Sequence, residues 1–253
     1  MTLPRDPGAP ISSDPPQPRI VSAPEATSIV AVAAHPDDVE GWCAGTLARA
    51  IDAGATVRVL LVTSGDKGSA DPAADPAAVA ARREQEALEA ARRLGFSEVA
   101  FLRHPDGEVE DTRALRAELV AWIRRWRPTV LFTHDPERPV PPYLAHRDHR
   151  IVGRVALDAV YPFARDPLTF PEQLRDGLQP HAVGEVWLFA SAVATAYVDI
   201  AAGFERKIAA RLAHESQTPD PAALSAGWRA RASAIGATVG LELAEAFTRL
   251  RLD

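Results

Sequence analysis

From Ser28 onward, short and almost wholly apolar runs alternate with longer stretches whose apolar residues recur every three to four positions. The runs are "SIVAVAA" at 28–34, "VRVLLVTSG" at 57–65, "EVAFL" at 98–102 and "TVLFTH" at 129–134. Between them lie "GTLARAIDAG" at 45–54, "AAVAARREQEALEAARRLG" at 77–95 and "TRALRAELVAWIRRWR" at 112–127. This rhythm predicts βαβ units, hence an α/β, Rossmann-like three-layer fold around a mostly parallel central sheet. Gly54 and Gly95 fall where helices should hand over to strands, as C-cap glycines do, and Pro128 separates a helix from its strand. Past Arg150 the pattern predicts a helix to about Tyr161, a proline-bearing loop, and two β-rich runs, "EVWLFAS" and "TAYVDIA". It then predicts two helical stretches, 203–215 and about 221–250, the second rich in alanine but interrupted by glycines.

The first 26 residues are crowded with proline, which supplies no amide donor, and they read as a disordered or extended arm preceding one domain over 27–253. Charge narrows the function. The chain has 34 acidic against 28 basic residues, net −6, without a block of Lys and Arg that could neutralise phosphates, so nucleic acid is not expected as a partner. No stretch approaches the roughly 18 apolar residues of a membrane span, and the N-terminus lacks a signal-peptide pattern, so a cytoplasmic protein is expected. A single cysteine, Cys43, excludes an internal disulfide and a cysteine zinc cage, and reads as a small core residue.

The chemistry gathers where strands should end. Parallel α/β sheets bind ligands outside the carboxyl ends of their strands, and "AHPDDVE" at 34–40 follows the first predicted strand at that edge. A glycine-rich phosphate loop is the usual occupant of such a turn, but neither GxGxxG nor GxxxxGK[ST] occurs there. The turn instead offers an imidazole and adjacent carboxylates, with Pro36 restricting the backbone between them. A second cluster, "AHRDHR", places His146, Asp148 and His149 after the strand "TVLFTH". A catalytic zinc takes three ligands from such side chains and keeps a position open, so two clusters at neighbouring strand ends can converge on one metal. Paired aspartates at the end of an apolar strand are costly unless a cation compensates them. His104, His134 and His181 take the default reading of structural histidines.

Together these residues resemble the PIG-L/LmbE family of zinc-dependent de-N-acetylases, whose signatures are an AHPDD turn followed by Glu and a later H-x-D-H. The resemblance covers about residues 27–217, including "RREQEALEAARRLG", "PDGE" at 105–108 and "KIAARLAHESQ". It implies Zn(2+), or another divalent transition metal, held by His35, Asp38 and His149. It further implies Asp37 as general base, His146 as oxyanion-stabilising or proton-donating histidine, and Asp148 beside it as an orienting carboxylate. Arg83 resembles a substrate-contacting arginine and Asp106 a sugar-hydroxyl ligand; an exposed helical arginine and an Asp-Gly turn are the plain alternatives. Glu40 either braces the site or begins a helix, and "HESQ" at 214–217 matches a late family motif for which the residues alone give no mechanism. One departure concerns substrate preference: many relatives carry Arg or Tyr just before H-x-D-H, whereas this chain has Ala145, with Tyr143 two positions earlier.

The implied activity is removal of an N-acetyl or other N-acyl group from an N-acetylglucosamine-like sugar or conjugate, a small-molecule substrate. The same motif suits an amidase acting on a bulkier thiol conjugate or antibiotic intermediate. A Rossmann-like binding module without catalysis is the alternative from another class. Relatives are often trimers or hexamers, so a homo-oligomer is compatible with each reading.

Overall fold

Six consecutive residues without a charge, Ser28–Ala33, form a strand whose inner positions are buried on both sides, as the middle of a parallel sheet requires. Ile29, Ala31 and Ala33 face one hydrophobic cluster, Val30 and Val32 the other. The computed structural model describes residues 18–25, 28–137 and 145–252. In chain order its strands are β1 (Arg19–Ile20), β2 (Ser28–Ala33), β3 (Thr56–Thr63), β4 (Glu98–His104), β5 (Val130–His134), β6 (Glu185–Phe189), β7 (Ala196–Asp199) and β8 (Ala244–Arg251). Its helices are α1 (Asp38–Trp42), α2 (Ala44–Asp52), α3 (Pro76–Leu94), α4 (Arg113–Trp126), α5 (Arg147–Asp158), α6 (Pro171–Arg175), α7 (Phe204–Arg211) and α8 (Pro221–Ala237).

One sheet runs β1-β7-β8-β6-β5-β2-β3-β4, parallel throughout except for β8, which pairs antiparallel with both neighbours. The chain builds outward from β2 through β3 to β4, then crosses back and adds β5 on the other side. β2 and β5 therefore flank the switch point at which a crevice opens beyond the strand ends. Helices α1, α2, α3, α7 and α8 contribute to the core on one face; α4 and α5 cover the other. Local chemistry fixes their ends. Asp75 caps α3 through the Ala77 amide with Pro76 behind it, Thr112 caps α4 through Leu115, and Gly95 takes φ +85° past α3. Cys43 is fully buried in the core, as expected for its residue type.

Two expectations differ from the structure. The helix expected over about 221–250 ends at Ala237; Gly240 turns the chain at φ +77°, and Ala244–Arg251 is a sheet strand. Its Ala, Glu and Leu residues favour a helix, but the open edges of β6 and β7 supply a ladder on both sides and override that preference. The proline-rich arm lies outside the described residues through Gln17, yet Arg19 and Ile20 already pair with Ala196 and Tyr197, so the chain joins the sheet before Thr27. No helix among the described residues is long and apolar enough to cross a membrane.

Candidate active site and metal centre

The residues after β2 turn sharply. Asp37 sits at φ 93°, in the left-handed region, and Asp38 opens α1. The Asp38 carboxylate folds back, its Oδ2 accepting the His35 amide at 2.8 Å, which leaves Oδ1 to face outward. On the other side of the crevice α5 passes close to the end of β5: a Cβ at Gly153 would collide with the His134 carbonyl. Glycine there lets the helix approach, and His149, one turn earlier, reaches into the site.

Three side chains meet at the switch point. His35 Nδ1 lies 3.2 Å from His149 Nε2 and 3.5 Å from Asp38 Oδ2, and His149 Nε2 lies 3.1 Å from Asp38 Oδ1. Ligands at 2.0–2.2 Å from a tetrahedral metal are separated by about 3.3–3.6 Å, and these spacings lie close to that range, with Asp38 presenting Oδ2 to His35 and Oδ1 to His149. Several histidine and carboxylate groups at this crevice, His35, His146 and His149 among them, come close enough to hold a metal.

The other nitrogen of His35 is held from behind. Nε2 is 3.1 Å from Asp106 Oδ1 and 3.3 Å from Asp148 Oδ2. Asp148 is fully buried, and the same Oδ2 accepts the Gly107 amide at 2.7 Å. Carboxylates that grip the far nitrogen of a ligating histidine fix its orientation and raise its basicity. Burial opposes the charged form of His35, but Asp106, Asp148 and Asp38 outweigh it and raise the imidazole to about 11. The pocket is thus built for positive charge, whether carried by a proton or by a metal.

His146 is exposed at the mouth, its ring edge-on to His35 at 4.8 Å. Partial burial and the positive field of His35 and His149 lower its pKa. Its Nδ1 accepts the Asp148 amide at 3.2 Å, so the neutral ring carries its proton on Nε2. His146 therefore presents Nε2 as its donor toward the crevice. Asp148 orients His35 and reaches His146 only through its backbone.

Arg83 is neither exposed nor open to the crevice. It is 5% exposed, and its guanidinium donates to the carbonyls of Pro36 at 2.8 Å and Gly65 at 3.1 Å, with Nη2 3.5 Å from Asp37 Oδ1. A Cβ at Gly65 or Gly68 would collide with it, which explains the glycines of "TSGDKG". Asp106 is also buried, with Oδ1 committed to His35, so both side chains expected at the substrate act here on the site's framework. Glu40 is buried against His214, with Oε2 and Nε2 3.5 Å apart.

His134, read from sequence as structural, lies inside the site. Its Nε2 accepts the Ala34 amide at 3.2 Å and is 3.4 Å from Asp38 Oδ2, and its ring stacks on His149 at 4.1 Å. Complete burial holds it neutral, down to about 4. The available signal was its place as the last residue of a strand that ends beside "AHPDD". His104 pairs with Glu118, and His181 donates to the Pro128 carbonyl, both in structural roles as expected. Arg211 was not anticipated: its Nη2 lies 3.2 Å from Asp37 Oδ2. Ala145 is buried, while Tyr143 lies outside the described residues.

An open, mostly parallel α/β sheet with a His/Asp cluster at its switch point that could hold a metal defines the class. The chain belongs to the PIG-L family, described as GlcNAc-PI de-N-acetylases, whose model matches residues 30–160, and it is an amide-hydrolysing enzyme. Diacetylchitobiose deacetylase of Thermococcus kodakarensis is 34% identical over 192 residues, 76% of this chain and 70% of that protein. Mycothiol S-conjugate amidase of Streptomyces coelicolor is 30% identical over 57% of this chain and 55% of its own length, so the match spans little more than half of that relative. N,N'-diacetylchitobiose deacetylase from Pyrococcus horikoshii, solved with its inhibitor MPG, matches with a TM-score of 0.84 and 29% identity over 90% of this chain and 85% of that one.

Proposed function

We propose that this protein is a zinc-dependent N-deacetylase of small N-acetylglucosamine-like saccharides or conjugates, working in the cytoplasm. The observation that carries the reading is the mutual spacing of His35 Nδ1, Asp38 and His149 Nε2, between 3.1 and 3.5 Å, at the switch point of the sheet. The Thermococcus kodakarensis and Pyrococcus horikoshii relatives, named as chitobiose deacetylases, support the substrate class.

His35, Asp38 and His149 would hold the metal, which supplies Lewis acidity toward an amide carbonyl and lowers the pKa of water. Asp106 and Asp148 keep the His35 ring turned so that Nδ1 faces the centre. Asp37, next to a ligand in sequence but with its oxygens directed elsewhere, accepts the proton of the attacking water; burial, foremost, and the neighbouring Asp38 raise its pKa and favour that role. His146 offers its Nε2 hydrogen to the oxygen on which negative charge develops. The leaving amine takes a proton from Asp37 or His146.

The test pairs elemental analysis of protein purified without added metal with amine release from N-acetylglucosamine and N,N'-diacetylchitobiose, before and after chelation. Near-stoichiometric zinc and chelator-sensitive amine release are expected. Bound metal with release only from a bulky amide would move the substrate class toward that named for the Streptomyces coelicolor relative, and absence of metal after zinc is supplied would sink the ligand assignment.

A further inference from the structure

Asp37 is gripped from two sides by cations that lie far apart in the sequence. Arg83 on α3 faces Oδ1 at 3.5 Å, and Arg211 on the last turn of α7 faces Oδ2 at 3.2 Å. Neither guanidinium is free to wander. That of Arg83 is tied to the carbonyls of Pro36 and Gly65. Arg211 is 7% exposed, with Nη1 donating to Thr218 Oγ1 at 2.6 Å and Nη2 to the Gln217 carbonyl at 3.1 Å. Thr218 in turn donates to the His214 carbonyl at 2.8 Å, and the Trp228 ring lies 5.5 Å from the guanidinium carbon.

The "HESQ" segment anchors this arrangement to α3, the helix that carries Arg83, and to the loop that packs against its guanidinium. Ser216 donates through both its amide and hydroxyl to Glu86 of α3, and Gln217 Nε2 donates to the Gly68 carbonyl at 2.8 Å. Asp37 needs such support. A non-glycine residue at φ 93° is strained, its neighbour Asp38 repels it, and a general base must keep its oxygen within hydrogen-bond reach of one proton.

We propose that Arg211 is a positioning residue which, opposite Arg83, fixes the Asp37 carboxylate in its working orientation, and that the "HESQ" segment exists in this chain to hold Arg211. The proposal rests on the reading of Asp37 as the base. Arg211 is buried and its guanidinium offers only donors, so it acts through Asp37 and takes no proton itself. Substrate binding should be indifferent to it.

The test uses the full-length, zinc-loaded protein with Arg211→Gln, Arg211→Lys, Asp37→Asn and the double variant Asp37→Asn/Arg211→Gln. Arg211→Gln should lower kcat about 10- to 100-fold, a part of the 10²–10⁴ that a positioned base supplies, with KM and zinc content unchanged. Arg211→Lys, which keeps the charge, should recover much of that loss. In the Asp37→Asn background, Arg211→Gln should change nothing further, because a residue acting only through Asp37 loses its effect with it. A crystal structure of Arg211→Gln gives a readout independent of turnover: the Asp37 carboxylate should leave its position while His35, Asp38 and His149 stay. An unmoved Asp37, or equal losses from Arg211→Gln with and without Asp37, overturns the proposal. Full turnover in Asp37→Asn would instead defeat the base assignment, so the two failures are distinguishable.

Discussion

His35 presents a different nitrogen to each half of the site, one toward His149 and Asp38 and one toward Asp106 and Asp148. The second pair of contacts is the cheaper to disturb experimentally. Asp148→Asn keeps an oxygen for the Gly107 amide but loses the charge behind the imidazole. Outer-shell partners of this kind typically account for 10- to 100-fold in metal affinity, so zinc affinity should fall by about that factor, as competition with a chromogenic chelator would show. The same scale explains what was readable beforehand. His35, Asp38, His146 and His149 sit in dense clusters whose charge demands compensation. His134 and Arg211 reach the site only through the pairing of β5 with β2 and the docking of α7, and a lone histidine or a helical arginine carries no such signal. Arg83 and Asp106 were visible as residues, but their inward direction was not, because spacing along a chain does not say which way a buried guanidinium or carboxylate points.

Between elements, the critical approach is that of α5 to the end of β5. Replacing Gly153 by Ala would gain up to about 1 kcal/mol of helix propensity, but the new Cβ meets the backbone carbonyl of His134, which has no rotamer to move. Overpacking of this kind costs about 1–3 kcal/mol, so the collision wins. Gly153→Ala should destabilise the protein in urea by roughly that amount and also weaken zinc binding, since the helix carries His149 one turn away. Most elements here were legible as alternating runs and periods. β8 was not: "AEAFTRLR" satisfies a helical composition, and only the unpaired edges of two distant strands decide otherwise. What the glycines of "TSGDKG" make room for, the Arg83 guanidinium, became visible only with α3 in place.

Across the whole molecule, the two parts of the sheet are joined through β8, and Glu185 of β6 marks that seam. Its carboxylate receives two bonds from Arg249 of β8, at 2.9 and 2.6 Å, and one from Trp187 at 3.0 Å. Burial opposes its ionisation, but these donors prevail and lower its pKa. A carboxyl lowered on folding contributes stability that is present above its ordinary value, about 4.3, and is lost as pH falls through the lowered one. Glu185→Gln should therefore cost about 1 kcal/mol at pH 7, and the gap to the parent protein should close in acid, measured by urea unfolding of the metal-free form. The position of β8 also orders events in time. It follows every other described element in the chain yet lies inside the sheet, between β6 and β7. On a ribosome, β2 to β6 can pair as they emerge, but β7 and β1 stay detached from them until β8 arrives. Glu245 of that strand also accepts the amides of Gly45 and Thr46 at the start of α2, so the beginning of the domain waits for its last strand to be finished.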